Sequence, residues 1–121
     1  ETSSRVGGAH LAEMVEAATG INLWREWANL ETAQALGQKY TLPKTEDSCA
    51  GIIVSLARQE WPDTGSFNDS EIWWRMNKEY HIGFILKAKE KKRLDELLES
   101  YAVRIFEGYH ASAPVPDKPT N

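Results

Sequence analysis

Residues 72–86 read IWWRMNKEYHIGFIL, and this stretch decides the fold. Ile72, Trp74, Met76, Tyr80, Ile82, Phe84 and Leu86 share one parity, and only Lys78 breaks the series. Strict alternation is the mark of a strand with one buried face. The polar Asn77-Lys78-Glu79 interrupts it, so the stretch is either two short strands or one long strand with a bend. On either reading one face is apolar, and the other carries Trp73, Arg75, His81 and Lys87. Such a face must be covered by another layer.

The cover lies directly downstream. Over residues 89–107, Leu94, Leu97, Leu98, Tyr101, Ala102 and Ile105 recur at helical spacing, and Gly108 can end the helix. Upstream, residues 49–60 read as a further strand, with Ile52, Val54 and Leu56 on one face and Ile53, Ser55 and Ala57 on the other. Residues 40–48 and 61–70 are connectors rich in turn formers such as Pro43, Pro62, Asp63 and Gly65. Two helices open the chain. The first spans 10–19 with Leu11, Met14, Val15 and Ala18 on one side and Gly20 as its stop. The second is capped by Asn22, runs to about Leu36 on Leu23, Trp24, Trp27, Leu30 and Ala33, and ends at Gly37. The expected fold is α+β: two N-terminal helices, then a small antiparallel sheet of two to three strands covered by a C-terminal helix. Residues 111–121, with three prolines, are expected to be a disordered tail.

The whole is 121 residues, enough for one modest core. A net charge of −4 argues against nucleic acid as the main partner, because phosphate binding needs a dense basic surface. No apolar run is long enough to span a bilayer, and no basic-then-apolar leader precedes the first helix. The lone Cys49 forms no internal disulfide and no metal cluster, which is compatible with a reducing compartment and a cytoplasmic location. His10, His81 and His110 show no metal-ligand spacing. The basic run Lys87, Lys89, Lys91, Lys92 and Arg93 is interleaved with Glu90, Asp95 and Glu96, and its charges oppose the dipole of the helix it begins.

Chemistry concentrates at the start, ETSSRVGGAH. If Glu1–Arg5 is extended, Glu1, Ser3 and Arg5 point the same way. A carboxylate suits a hard cation such as Mg²⁺, and a guanidinium suits phosphoryl oxygens. Gly7 and Gly8 allow close backbone approach, and a helix N-terminus follows. The competing reading is a solvated chain end.

ETSSRVGGAHLAEMVEAATGINL, residues 1–23, resembles a segment of the ATP-grasp superfamily. That family ends its ATP-binding domain with a strand carrying Glu-x-Asn-x-Arg, then a Gly-containing turn, a helix, and a Thr-Gly-hydrophobic-Asp/Asn-Leu element. The matching parts are Glu1, Arg5, Gly7-Gly8, the helix from His10, and Thr19-Gly20-Ile21-Asn22-Leu23. The remainder resembles, in pattern, the small C-terminal subdomain of biotin-carboxylase-like and amino-acid-ligase-like members. The resemblance implies that 1–39 ends an ATP-grasp domain and that 40–110 is a C-terminal subdomain. It implies Glu1 as a Mg²⁺ ligand at the ATP phosphates and Ser3 as a second, standing where the family places Asn. Arg5 is implied as the catalytic arginine facing the acyl phosphate, with Gly7, Gly8 and His10 at the substrate. The implied reaction is phosphoryl transfer from ATP to a small carboxylate, followed by amine ligation. The glycine-rich phosphate loop and nucleotide-contacting lysines of the family would precede Glu1. The expected partner is therefore the N-terminal part of such an enzyme, holding ATP and Mg²⁺, and these 121 residues alone are expected to be inactive. A homodimer is compatible with the same features. The alternatives are a biotin-carboxylase-like parent, or a scaffold or docking domain whose site has degenerated.

Overall fold

The computed structural model describes residues 5–112. The order is α1 (Leu11–Thr19), α2 (Leu23–Ala35), β1 (Cys49–Leu56), β2 (Ile72–Arg75), β3 (His81–Ala88) and α3 (Lys91–Gly108). The three strands form one antiparallel sheet in the order β1-β3-β2. The fold is α+β, with the C-terminal helix packed on the sheet.

β3 is the central strand, and Ile82, Phe84, Ile85 and Leu86 on it are wholly buried. Its register with β1 puts Ile53 beside Phe84, Gly51 beside Leu86 and Cys49 beside Ala88. That face meets α3 through Leu94, Leu97, Tyr101 and Ile105, with Phe67 inserted from the connector after β1. Gly51 gives room there: a Cβ would lie 2.7 Å from Leu98 Cδ1, so Leu98 would have to shift. The opposite face, where Ile85 is buried, carries α1, whose Ala12 and Ala17 are small enough for close packing. Backbone bonds from Glu46 to the Thr19 carbonyl (2.8 Å) and from Ser48 to that of Ala18 (3.2 Å) tie α1 to the approach to β1.

Residues 72–86 are two strands, and their parity is not continuous. Ile72 pairs with Leu86, but Trp74 pairs with Ile85 and Arg75 with Phe84, so Trp73 is an extra residue in β2. A bulge of this kind moves every later side chain to the other face. Trp74 therefore joins the α1 face. Arg75, expected on the polar face, joins the core face, with its guanidinium carbon 5.6 Å from the Phe84 ring centre. It donates to the carbonyls of Thr64 and Phe67 and so pins the connector that carries Phe67. From the other side Arg104 stacks on the Phe67 ring at 3.9 Å and donates to the Ser66 carbonyl at 2.7 Å.

Two further expected details are corrected, and one unexplained feature finds its partners. β1 stops at Leu56 rather than near residue 60, because the chain turns so that Tyr80 donates to the Glu60 carbonyl. Ala102 is exposed, so the buried stripe of α3 is Leu94, Leu97, Tyr101 and Ile105. The basic first turn of α3 serves the loop before β2: Arg93 donates to Glu71 at 2.7 Å and lies 3.5 Å from Asp69. That pairing answers the charge that the helix dipole disfavours. Of the expected tail, Ala111 donates to the Leu56 carbonyl at 3.0 Å, and residues 113–121 lie outside the described residues.

Tyr101 stands edge-on to Phe67 and Phe84, and its hydroxyl donates to Asp69 at 2.7 Å. Burial, followed by that hydrogen bond, pushes the phenol up to about 12. An unfolded tyrosine ionises near pH 10. The stabilisation from keeping Tyr101 neutral is therefore whole below about pH 10 and is lost as the pH rises through about 12. Urea unfolding should show a loss of roughly 3 kcal/mol across that window, since one unit corresponds to about 1.4 kcal/mol. Tyr101→Phe should flatten the alkaline slope. An unchanged slope would assign the loss to other groups.

Candidate functional site

α2 is the least covered element, and Glu26 is its one buried residue. Its boundaries follow local rules: the Asn22 side chain accepts from the Arg25 N–H at 2.9 Å, and Gly37 ends the helix region at φ 65°. Leu23, Trp27 and Leu30, at i, i+4 and i+7, form an apolar strip that no other described element covers. Trp27 and Leu30 are 40% and 45% exposed, and Trp24, at 49%, lies 5.9 Å from the Trp27 ring.

This strip floors an open cleft of about 550 Å³. Arg5 and Val6 form one wall, while Glu26, Glu31 and Tyr40 complete the lining. Glu26 sits within the apolar side of the helix at 6% exposure. Its carboxylate accepts from the Tyr40 hydroxyl at 2.8 Å and from Arg25 Nε at 3.3 Å. The Tyr40 bond, with Arg25 and Asn29 adding to it, outweighs the opposing effect of burial and lowers the Glu26 pKa. The same bond raises that of Tyr40. At neutral pH the pair is thus a carboxylate and a neutral phenol. Glu31 accepts from the Trp27 indole N–H at 3.2 Å. The cleft combines an apolar floor, two carboxylates and one guanidinium.

The residues singled out in the sequence fall in different surroundings. Glu1 and Ser3 lie outside the described residues. Arg5 is exposed, and its recorded hydrogen bond is a long one, 3.4 Å, to the Val6 carbonyl. Gly7 lets α1 come close, since a Cβ there would sit 3.3 Å from Leu11. Gly8 has open space and offers its carbonyl to the Leu11 N–H at 3.1 Å. The left-handed conformation falls not on these glycines but on Ala9 (φ 54°) and His10 (φ 64°). Two consecutive non-glycine residues there store strain, which the surroundings must hold. They do so through His10, whose ring stacks 4.5 Å from Trp74 and lies 3.8 Å from a Glu13 oxygen. The bulge in β2 is what turns Trp74 to this face. His10 is thereby committed to the sheet, while Arg5 is on the α2 cleft.

The expected metal donors, a carboxylate and a hydroxyl, are hard oxygens of the type Mg²⁺ takes. Among the described residues no group of three or more His, Cys, Asp or Glu could hold a metal ion. Cys49 is a free, half-buried thiol. No helix among the described residues is long and apolar enough to cross a membrane.

Glu26, Glu31 and Tyr40 were not anticipated as site residues. A signal for Glu26 existed, because it falls between Leu23 and Leu30 on the helix side that should be apolar. Tyr40 carried none, because only the path of the connector brings it 14 residues back onto Glu26. Comparisons with protein-family models, curated proteins and solved structures return no match.

Proposed function

We propose that the chain is the C-terminal portion of an ATP-dependent carboxylate ligase of the ATP-grasp kind, cytoplasmic and inactive without its ATP-binding part. The reading rests on the order Glu1, Ser3, Arg5, Gly7-Gly8, helix, Thr19-Gly20-Ile21-Asn22-Leu23. The observation that carries it is that Arg5 stands free of ion pairs among the described residues, on the wall of a cleft with room for a small substrate. A guanidinium so placed is suited to the forked oxygens of an acyl phosphate.

In the reaction a carboxylate oxygen of the substrate attacks the terminal phosphorus of ATP and ADP leaves. An amine then attacks the acyl carbon, inorganic phosphate leaves, and the amine loses a proton as the amide forms. Mg²⁺, held by Glu1 and Ser3 with further ligands from the partner, would neutralise phosphate charge. Arg5 would hold the acyl phosphate oxygens. The bare strip of α2 supports the partner assignment, since exposed apolar surface of this kind marks a contact. The same strip is what favours the second reading, a docking domain with no catalytic task.

The test joins this chain to its ATP-binding part, supplies a panel of amino acids and other small carboxylates, and traps acyl phosphate with hydroxylamine. Trapping that requires ATP, and that Glu1→Ala abolishes while circular dichroism is unchanged, is the expected result. No hydroxamate with any carboxylate would leave the docking reading. For the 121-residue chain alone, calorimetry should show no saturable Mg-ATP binding, and tight binding would contradict the division of the site.

A further inference from the structure

We propose that the outer edge of β1 is a strand-accepting surface, and that residues 113–117 of this chain, Ala-Pro-Val-Pro-Asp, occupy it as a fourth strand of the sheet. β1 lies at one side of the sheet order β1-β3-β2. The Ala57 N–H donates to the Tyr80 carbonyl at 2.7 Å, in step with the register of β1 on β3. Backbone groups alternate along an antiparallel strand, so those of Gly51, Ile53 and Ser55 face β3 and those of Ala50, Ile52 and Val54 face outward. Among the described residues no strand pairs with that outer row. The row is also unguarded, because Cys49–Leu56 holds no charge and no proline. The other edge, β2, is four residues long, bulged at Trp73 and ends on Arg75. Val54 and Leu56, 46% and 42% exposed, extend the opening of β1 onto the α1 face.

The chain itself begins to close this edge. After α3, His110 bridges Ala57 antiparallel, the Arg58 N–H donates to the Tyr109 carbonyl at 2.8 Å, and the Ala111 N–H donates to the Leu56 carbonyl at 3.0 Å. Ser55 Oγ and His110 Nδ1, 2.9 Å apart, add a side-chain bond. The chain thus reaches Ser112 on the outer row, heading antiparallel to β1. Continued in that register, Ala113 stands opposite Val54, Val115 opposite Ile52 and Asp117 opposite Ala50. Two features of the sequence fit this register and fail in one shifted by a single residue. Pro114 and Pro116 take the positions whose nitrogen points away from β1, where a missing N–H costs no ladder bond. Val115, the one branched aliphatic residue of the segment, falls on the face of Ile52, Val54 and Leu56. Prolines so placed also close the new edge to any further strand. By number they argue for disorder; by position they argue for an edge strand. A second copy seated on the same row would have to displace residues 110–112, which already hold its Leu56 end.

Amide hydrogen exchange of the full 121-residue chain, followed by NMR, is compared with that of the chain truncated after Ser112. The Ile52 and Val54 amides should exchange about tenfold faster in the truncated chain, because each loses a backbone bond. The Phe84 amide, on the central strand, should be unchanged and serves as the internal control. The full chain should also show a close approach of the Ile53 and Pro114 α-protons, which face each other as a pair without hydrogen bonds. Two single variants test the parity. Val115→Pro removes a donor aimed at the Ile52 carbonyl and should free both amides as truncation does. Ser112→Pro removes an N–H that points outward and should leave them protected. All three changes lie away from the Phe67–Phe84–Tyr101 cluster, so the far-ultraviolet spectrum should report a folded chain each time. Equal exchange in the full and truncated chains would overturn the proposal, as would equal effects of the two proline variants. Protection that rises with protein concentration, with a dimer in sedimentation, would place a second copy on the edge and overturn it too.

Discussion

Phe84→Ala is expected to lower the stability of the fold by about 3–5 kcal/mol. Phe84 is wholly buried on the central strand, and it touches the core from three sides. Its ring lies 4.8 Å from that of Phe67, 5.2 Å from that of Tyr101 and 5.6 Å from the Arg75 guanidinium. Removing it leaves a cavity between α3 and the sheet and takes away the support of the Phe67 connector as well. Such truncations cost about 3–5 kcal/mol. Total stability for a domain of this size is about 5–15 kcal/mol, so a large share of the margin is lost. Phe106→Ala is the control, because Phe106 is 70% exposed on the same domain and should change stability by less than about 0.5 kcal/mol. The two variants are compared by urea unfolding. Equal stability of both would mean that the Phe67–Phe84–Tyr101 cluster is not the centre of the fold.

That cluster was only half visible in the sequence. The alternation of Ile82, Phe84 and Leu86 and the stripe of α3 announce their own partners, because both periodicities are local consequences of backbone geometry. Gly20 and Asn22 were equally legible: a left-handed stop and a side-chain cap act within one turn. Phe67 was hidden in a connector, since it is held by Arg75 and Arg104 from elements distant in sequence. The bulge at Trp73 was hidden for a different reason. An extra residue leaves the composition of a strand unchanged and alters only its register, which pairing with β3 decides. The candidate site divides in the same way. Arg5 and the two glycines stand out by residue type. The Glu26–Tyr40 pair and the stacking of His10 on Trp74 depend on tertiary approach.

On the proposed ligase reading, Arg5→Ala in the chain joined to an ATP-binding part is expected to lower turnover by about 10²- to 10³-fold, the loss seen when one donor to developing negative charge is removed. The fold should be untouched, because Arg5 is exposed and its hydrogen bond to the Val6 carbonyl is long. Arg5→Lys separates charge from shape. A lysine retains the positive charge but offers a single ammonium in place of a planar fork. If Arg5 grips two oxygens of an acyl phosphate, lysine should recover only a minor part of the rate, and the loss should appear in kcat more than in KM. If Arg5 merely attracts an anion into the cleft, lysine should restore most of the rate, and raised salt should weaken substrate binding in both. Full turnover in Arg5→Ala would remove Arg5 from the chemistry. The order of residues 1–23 would then describe the ancestry of the segment and not its work, and the α2 cleft would have to be explained by what docks on it.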